Sequence, residues 1–331
     1  MTVDIVLHQA ARERVLKRVA ALDLPVRLIA LDDAGEHALD GRPISLDDHP
    51  PEAFFLSLDV AYAGLFEACL DEILARPTVR WLQTFNAGLD HPRYQDFLGR
   101  EIRIANSSAQ AVAIAEYVFA QVLDLYHPLA AQKAAQAALE WRRTPFREIW
   151  RSTWLVIGIG HIGGAIARRA RAFDARILAV RNRAAPSDLA DETGTRDDLS
   201  RLLPEADVVV LACPLNDATR GMADARFFDR MKEGAILVNV ARGGLVDDAA
   251  LLAALDEGRV GTAVLDVFEP EPLPTSSPYW THPNVRLTAH TSFAGDGVVP
   301  RGDELFLANL PRYLAGEPLI NEVDLVAVLG G

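Results

Sequence analysis

Short apolar runs alternate with longer segments of helical periodicity from the start of the chain. In the first third, this patterning predicts strands at residues 3–7, 26–30, 53–58, 79–83 and 102–105, and helices at 10–22 and 65–75. The stretch 32–51 is rich in Asp, Gly and Pro, so we predict that it is mostly loop. This alternation indicates a small α/β domain with a mainly parallel sheet.

The same alternation continues through the rest of the chain. Residues 109–126 predict a strongly apolar helix, and residues 130–151 predict a helix followed by a loop. Further strands are predicted at 154–157, 177–180, 207–212, 235–240, 262–267 and 285–288, and further helices at 197–203, 224–231, 247–257 and 298–315. Strands that alternate with helices over this length are typical of a doubly wound sheet.

A glycine-rich turn separates the strand at 154–157 from an amphipathic helix and a second apolar strand. In the run Gly158-Ile159-Gly160-His161-Ile162-Gly163, the first glycine suits a tight turn and the second lets backbone approach a pyrophosphate. The third lets the helix lie close to the strand, and free N–H groups at the helix start suit a diphosphate. Glycine turns also have purely structural uses, but the strand–turn–helix–strand context predicts dinucleotide binding.

The residues that follow the second apolar strand, at 177–180, indicate which dinucleotide is preferred. An acidic residue there accepts hydrogen bonds from the adenosine ribose of NAD, whereas this chain has Arg181-Asn182-Arg183. Guanidinium groups pair with a 2′-phosphate through charged hydrogen bonds, so we predict NADP in preference to NAD. The alternative is a solvated loop of arginines.

Composition limits the remaining possibilities. The 331 residues are enough for two domains, and a formal net charge of −13 argues against nucleic acid as a partner. Cys69 and Cys213 lie far apart in apolar segments, which indicates neither a disulfide framework nor a metal site. The N-terminal stretch lacks a basic start before a long apolar core, and no apolar run approaches membrane-spanning length. We therefore expect a cytoplasmic protein that binds no membrane.

Ionisable residues follow three strands of the second part of the chain. Arg242 precedes two glycines, the turn after residue 265 carries Asp266, Glu269 and Glu271, and His290 follows the last strand. Each could be structural alone, but an arginine, an acid and a histidine at strand ends of a nucleotide-binding sheet form a candidate active site. In the first domain, the turn Asn86-Ala87-Gly88 also follows a strand, although an ordinary glycine turn is the simpler interpretation.

These residues lie in long motifs that resemble the D-isomer-specific 2-hydroxyacid dehydrogenases, most closely their glyoxylate/hydroxypyruvate reductase branch. The motifs are ADVVVLACPLNDATRGM at 206–222, GAILVNVARGGLVDDAALLAAL at 234–255, LDVFEPEPLP at 265–274 and PNVRLTAH at 283–290. The resemblance implies a flavodoxin-like substrate domain at 1–104 and 293–331, and an NADP-binding Rossmann domain at 105–292. It also implies a homodimer, formed through the nucleotide domain.

The resemblance assigns roles to individual residues. It implies that Arg242 binds the substrate, that Glu271 rather than Glu269 is the partner of the acid/base His290, and that the amides of Asn86, Ala87 and Gly88 bind the substrate carboxylate. It places Asp266 against the nicotinamide carboxamide, and further cofactor contacts at Cys213, Pro214, Thr219, Val240, Ala241, Arg242 and His290. The other predicted cofactor contacts are the residues inferred above from the glycine-rich turn and the unit that it opens: Gly158, Gly160, His161, Ile162, Gly163, Arg181, Asn182 and Arg183.

The implied chemistry agrees with what the side chains can do. Reduction of a 2-keto acid needs a hydride at carbon and a proton at oxygen; an imidazole can donate that proton, and an adjacent carboxylate favours its charged form. We therefore expect NADPH-dependent reduction of glyoxylate or hydroxypyruvate to the D-2-hydroxyacid. The sequence departs from the family at Ala289, where proline is usual, and matches only loosely in the N-terminal domain. A dehydrogenase for another D-2-hydroxyacid, such as D-lactate or a sugar acid, and a dinucleotide-sensing corepressor-like protein remain alternatives.

Overall fold

The computed structural model describes residues 2–182 and 185–326. The chain divides into two compact units: the first comprises Met1–Gln110 and Asp296–Gly331, and the second comprises Ala111–Gly295. The first unit is therefore discontinuous in sequence.

The first unit is built on one eight-stranded sheet. From edge to edge its strands are Glu322–Val323, Arg103–Ala105, Trp81–Thr84, Ala53–Leu56, Val3–His8, Val26–Leu31, His37–Leu39 and Arg42–Pro43. The five strands from 103–105 to 26–31 pair in parallel, and the three outer strands pair antiparallel. The parallel order is that of a flavodoxin-like sheet, as the sequence predicts.

Helices cover both faces of this sheet. They are Gln9–Ala21, Leu58–Tyr62, Phe66–Ala75 and Val298–Leu314, with a 3₁₀ helix at Pro92–Phe97. Successive residues of a strand point to opposite faces, so Phe54 packs in one core cluster and Phe55 in the other, where it stacks on Phe306 at 4.5 Å.

The stretch 32–51 is mostly loop, as the sequence predicts. It also contains two short strands that the sequence does not predict, His37–Leu39 and Arg42–Pro43, which pair through backbone hydrogen bonds and carry no apolar alternation. The strand predicted at 53–58 stops at Leu56, because Leu58 starts a short helix.

The second unit contains a seven-stranded, all-parallel sheet. Its strands, in spatial order, are Glu192–Gly194, Arg176–Val180, Thr153–Ile157, Val208–Leu211, Ala235–Asn239, Val260–Leu265 and Val285–Leu287. Its helices are Ala111–Tyr126, Leu129–Ala137, His161–Ala172, Leu199–Leu202, Ala225–Arg230 and Asp248–Asp256, with 3₁₀ helices at Arg196–Asp198, Leu203–Glu205, Gly243–Leu245 and Pro278–Trp280. This strand order is that of a Rossmann fold, which confirms the predicted fold class.

The apolar helix Ala111–Tyr126 packs against the helix His161–Ala172 and on the sheet. Phe119 stacks on the buried Trp154 with ring centroids 5.1 Å apart. Glu116, the acidic residue of this helix, forms an ion pair with Arg169 at 3.4 Å. This pairing supports a structural role for Glu116. Among the described residues, no helix is both long enough and apolar enough to cross a membrane.

Candidate active site

The glycine-rich turn is shaped by close backbone packing. Gly158 follows the strand Thr153–Ile157 with a φ of +96°, and a Cβ there would lie 2.6 Å from the carbonyl oxygen of Ala212. A Cβ on Gly163 would overlap the carbonyl oxygen of Gly158, so this glycine lets the helix approach the turn. Two of the three glycines are thus required by packing alone.

Gly160 has a different environment. It is the N-cap of the helix His161–Ala172, and no side chain caps the start of this helix. A Cβ on Gly160 would meet no atom within 4 Å. His161 is exposed and Ile162 is partly buried beside it. Backbone N–H groups at a helix start without a side-chain cap fit a diphosphate, so this part of the chain fits a dinucleotide.

Arg181 and Asn182 lie at the end of the next strand. Both are exposed, and the backbone N–H of Arg181 donates to the carbonyl oxygen of Gly194 at 3.1 Å, which ties the position to the edge strand. No carboxylate within residues 2–182 and 185–326 forms an ion pair with Arg181. Arg183, the third predicted residue of this set, lies outside the described residues.

The turn after the strand Val208–Leu211 carries Cys213, Pro214 and Thr219. The hydroxyl of Thr219 donates to the carbonyl oxygen of Pro214 at 2.8 Å and accepts from the N–H of Asn216 at 2.9 Å. Burial raises the pKa of the Cys213 thiol to about 11. A thiol that stays protonated is a packing group and not a nucleophile, so the environment of Cys213 agrees with its predicted role.

The position of Arg242 is fixed by the strand Ala235–Asn239 and the side chain of its last residue. The carboxamide of Asn239, only 1% exposed, donates to the carbonyl oxygen of Arg242 at 2.8 Å and accepts from the N–H of Ala241 at 3.1 Å. Val240 and Ala241 are buried, whereas Arg242 is half-buried and donates to the carbonyl oxygen of Ala241 at 2.7 Å. The sequence interpretation missed Asn239, which adjoins the motif arginine.

The acidic turn packs directly on the Arg242 turn. A Cβ on Gly243 would overlap the backbone of Phe268, so glycine is required for this contact. The two candidate carboxylates of the turn separate here. Glu269 forms an exposed ion pair with Arg220 at 2.8 Å, whereas Oε1 of Glu271 accepts a hydrogen bond from the N–H of Phe268 at 2.8 Å.

His290 lies beside Glu271. Its Nδ1 is 2.8 Å from Oε2 of Glu271, and its side chain is 42% exposed, so it is not a core histidine. The backbone of His290 adopts a φ of 50°, in the left-handed region that few residues other than glycine occupy and in which histidine, asparagine and aspartate are the most frequent of them. The structure thus brings the predicted acid and histidine together and leaves the second ring nitrogen for another partner.

Asp266 holds the backbone around His290. It is fully buried, and its carboxylate accepts hydrogen bonds from the hydroxyl of Thr288 at 2.5 Å and from the N–H groups of Thr291 and Ser292 at 2.9 and 3.0 Å. Its carbonyl oxygen accepts from the N–H of His290 at 2.8 Å. These contacts make Asp266 a positioning residue for the histidine loop. Its contact with a nicotinamide carboxamide stays a prediction.

In the first unit, the turn Asn86-Ala87-Gly88 follows the strand Trp81–Thr84. The carbonyl oxygen of Asn86 accepts from the N–H of Ser107 at 2.8 Å, and that of Ala87 accepts from Nδ2 of Asn106 at 2.7 Å. Both carbonyl groups are therefore held by the segment that follows the next strand, Arg103–Ala105.

Comparison with known proteins identifies the family. The model of the D-isomer specific 2-hydroxyacid dehydrogenase NAD binding domain matches residues 119–292. An uncharacterised protein of Corynebacterium melassecola is 35% identical over 257 residues, which are 75% of this chain and 83% of that protein. The human glyoxylate reductase/hydroxypyruvate reductase is 30% identical over 260 residues, 76% of this chain and 79% of that protein. The crystal structure of a D-isomer specific 2-hydroxyacid dehydrogenase from Xanthobacter autotrophicus Py2, in complex with NADPH and MES, is 25% identical, covers 98% of both chains and superimposes with a TM-score of 0.73. The chain therefore belongs to the D-isomer specific 2-hydroxyacid dehydrogenase family.

Proposed function

We propose that this protein uses NADPH to reduce a small 2-keto acid, glyoxylate or hydroxypyruvate, to the D-2-hydroxyacid. The observation that carries the proposal is the 2.8 Å contact between Nδ1 of His290 and Oε2 of Glu271. It pairs an imidazole with an orienting carboxylate, as proton transfer to a substrate oxygen requires. The name of the human relative supports this substrate class.

The proposed mechanism assigns each group one task. A reduced nicotinamide cofactor, held by the glycine-rich turn at 158–163, would supply the hydride for the keto carbon. Glu271 holds Nδ1 of His290, so Nε2 gives its proton to the keto oxygen as the oxygen becomes a hydroxyl. The forked donors of Arg242 bind the carboxylate and stabilise negative charge that develops on the oxygen.

We also propose a carboxylate-binding role for the Asn86-Ala87-Gly88 turn, which belongs to the first unit. The backbone N–H groups of the Asn86-Ala87-Gly88 turn bind the substrate carboxylate; the N–H of Asn86 also donates to the hydroxyl oxygen of Thr84 at 3.3 Å. Asp266 fixes the loop that carries His290, so the imidazole needs little reorganisation during proton transfer. We propose the domain bounds that the sequence predicts. Residues 1–104 and 293–331 form the substrate domain, and residues 105–292 form the nucleotide-binding domain.

The preference for NADPH rests on Arg181, with Asn182 and Arg183 beside it. An exposed guanidinium at the end of the second strand of a Rossmann sheet suits a 2′-phosphate, and no acidic residue stands at that position. The NADPH complex of the Xanthobacter relative supports this choice. NAD is the alternative cofactor.

We further propose a homodimer in the cytoplasm. In the second unit, Leu139 and Trp141 are 95% and 96% exposed, and large apolar side chains of this kind would be covered in a protein interface. The free thiols of Cys69 and Cys213 suit a reducing compartment. Light scattering of the purified protein tests the dimer, and Trp141→Ala should shift its mass toward the monomer.

The test of the function is NADPH oxidation, followed by the absorbance of the reduced nicotinamide, across a panel of 2-keto acids and then with NADH. We expect turnover of glyoxylate or hydroxypyruvate, faster with NADPH, and a D-configured product from hydroxypyruvate by chiral chromatography. Turnover of pyruvate or sugar acids alone would indicate a different D-2-hydroxyacid dehydrogenase. Tight NADPH binding with no turnover would favour a dinucleotide-sensing protein.

A further inference from the structure

A buried tyrosine lies directly beneath the Asn86-Ala87-Gly88 turn. Tyr94 belongs to the 3₁₀ helix Pro92–Phe97. Tyr94 is 0% exposed to solvent, and Thr84, the last residue of the preceding strand, is 1% exposed. The Tyr94 hydroxyl oxygen lies 2.8 Å from Oδ1 of Asn86 and 2.9 Å from the hydroxyl oxygen of Thr84. The Thr84 oxygen is in turn 2.9 Å from Oδ1 of Asn86. The three side chains therefore form a closed triangle of polar atoms.

Counting protons shows what this triangle does to Asn86. Each hydroxyl has one proton, and the carboxamide oxygen has none. Both hydroxyls can donate to Oδ1 directly, or one can donate to the other, which then donates to Oδ1. In each arrangement the oxygen of Asn86 is the final acceptor.

The reversed carboxamide does not fit the same triangle. Distances of 2.8, 2.9 and 2.9 Å make the triangle nearly equilateral, so the two hydroxyl oxygens subtend about 60° at the Asn86 atom. The two protons of a carboxamide nitrogen diverge by about 120°, so a nitrogen there could not donate well to both oxygens. The orientation with Oδ1 inward is the one that the contacts favour.

With Oδ1 held inward, Nδ2 of Asn86 lies on the other side of the carboxamide. Asn86 is partly exposed, and no residue within 2–182 and 185–326 accepts a hydrogen bond from Nδ2. The backbone carbonyl groups of Asn86 and Ala87 are already bound to Ser107 and Asn106. The turn therefore has a fixed backbone and one side-chain donor with two available protons.

We propose that Nδ2 of Asn86 is a further substrate-binding donor, and that Tyr94 is the positioning residue that orients it through Oδ1. The inference rests on the proposed function, because it takes the Asn86-Ala87-Gly88 turn as the site that binds the 2-keto acid carboxylate. A carboxylate oxygen accepts hydrogen bonds only, so it suits a primary amide donor beside backbone N–H groups.

The experiment is a double-mutant cycle in the full-length protein, with Tyr94→Phe, Asn86→Ala and the combined variant. Each single change should raise the KM for glyoxylate about three- to tenfold, the effect of losing one hydrogen bond, while kcat changes less and NADPH binding stays the same. Because Tyr94 acts through Asn86, the combined variant should have the KM of Asn86→Ala alone.

Tyr313→Phe is the matched control. The Tyr313 hydroxyl also donates to a side chain of the first unit, Oε1 of Glu52 at 2.5 Å. Its removal should lower the melting temperature about as much as Tyr94→Phe does and leave the KM for glyoxylate unchanged. A Tyr94→Phe variant that loses stability but keeps its KM would show that Tyr94 is only structural.

Asn86→Asp tests the donor without disturbing the triangle. Aspartate keeps an oxygen for Tyr94 and Thr84 but has no N–H to give, and its negative charge repels the substrate carboxylate. Its KM for glyoxylate should therefore rise more than that of Asn86→Ala, even if Tyr94→Phe fails to fold. An unchanged KM in Asn86→Asp, or effects of Tyr94→Phe and Asn86→Ala that multiply in the combined variant, would overturn the inference. If the wild-type protein reduces no 2-keto acid, the proposed function itself fails, which is a different result.

Discussion

The carboxylate of Glu271 bridges Nδ1 of His290, at 2.8 Å, and the backbone N–H of Phe268, also at 2.8 Å. One oxygen is thus held by the backbone of its own turn while the other meets the imidazole. The neighbouring Glu269 uses its carboxylate on Arg220 instead. Two acids that are two residues apart in one turn therefore have different partners, and mutation can separate their roles.

The first prediction concerns the acid/base pair. His290→Ala should lower kcat for glyoxylate about 10²- to 10⁴-fold, because the proton donor is lost, with NADPH affinity unchanged by fluorescence titration. Glu271→Gln should lower kcat by at least about tenfold, because a neutral amide no longer stabilises the protonated imidazole. The matched control is Glu269→Gln, which removes only an exposed ion pair and should keep kcat within about twofold. Equal losses in the two glutamine variants would contradict the assignment of Glu271.

Arg242→Lys should raise the KM for the 2-keto acid by about tenfold or more. Lysine keeps the positive charge but loses the fork that binds a carboxylate with two hydrogen bonds. Steady-state kinetics with glyoxylate would measure this, and Arg220→Lys would serve as the control at an arginine that binds Glu269. A wild-type KM in Arg242→Lys would show that Arg242 does not bind the substrate.

The cofactor preference should depend on Arg181. Arg181→Gln, alone or with Arg183→Gln, should raise the Kd for NADPH about tenfold and leave that for NADH nearly unchanged, since only NADPH carries the 2′-phosphate. Arg201→Gln, an exposed arginine paired with Glu192 and Asp198, controls for the general loss of positive charge. Comparable losses for both cofactors would argue against a phosphate clamp.

Cys213 should be chemically inert. With its pKa raised to about 11 by burial, roughly one thiol in a thousand is ionised at pH 8, so alkylation by iodoacetamide should be slow in the folded protein. Mass spectrometry of the alkylated peptide would follow the rate, with the urea-unfolded protein as the reference. Cys213→Ala should retain kcat. Rapid labelling of the native thiol, or a large loss of kcat, would mean that Cys213 takes part in the chemistry.

Acid should weaken the edge of the first sheet at one ion pair. Hydrogen bonds from Arg103 lower the pKa of Glu322, whose carboxylate also accepts from the N–H of Leu319. A carboxyl group with a lowered pKa in the folded state stabilises the fold above its ordinary pKa, and this contribution is lost as the pH falls through the folded-state pKa. Glu322→Gln should therefore lower the free energy of unfolding by less than about 1 kcal/mol at pH 7. Urea denaturation at neutral and strongly acidic pH would measure the difference, which should disappear in acid.

The parallel strands could be predicted because a strand buried on both faces must be apolar throughout. Val208–Leu211 and the first four residues of Ala235–Asn239 are apolar in this way, and candidate site residues follow the ends of both strands. Glu192–Gly194 was missed because an edge strand pairs through its backbone, and its Glu-Thr-Gly sequence has no apolar pattern.

The site was predictable only where its residues lie in motifs. Pattern alone put both Glu269 and Glu271 in the acidic turn, and the choice between them rested on resemblance. Asn239 could have been found as a polar residue that ends a buried strand three positions before Arg242. Tyr94 could not have been found from the sequence, because its contact with Asn86 joins a 3₁₀ helix to a loop and follows no repeating spacing.

The glycines of the second unit determine which positions tolerate substitution. At positions 163 and 243, the atoms that a Cβ would overlap belong to the backbone of Gly158 and Phe268, and no substitution elsewhere can shorten a main chain to make room. A library selected only for folded protein, with no nucleotide or keto acid present, should therefore recover glycine at both positions. Retention of glycine at 163 and 243 in such a library would reflect how closely two stretches of backbone pass each other. Position 160, where a methyl group would enter open space, is the glycine whose retention depends on what the protein binds.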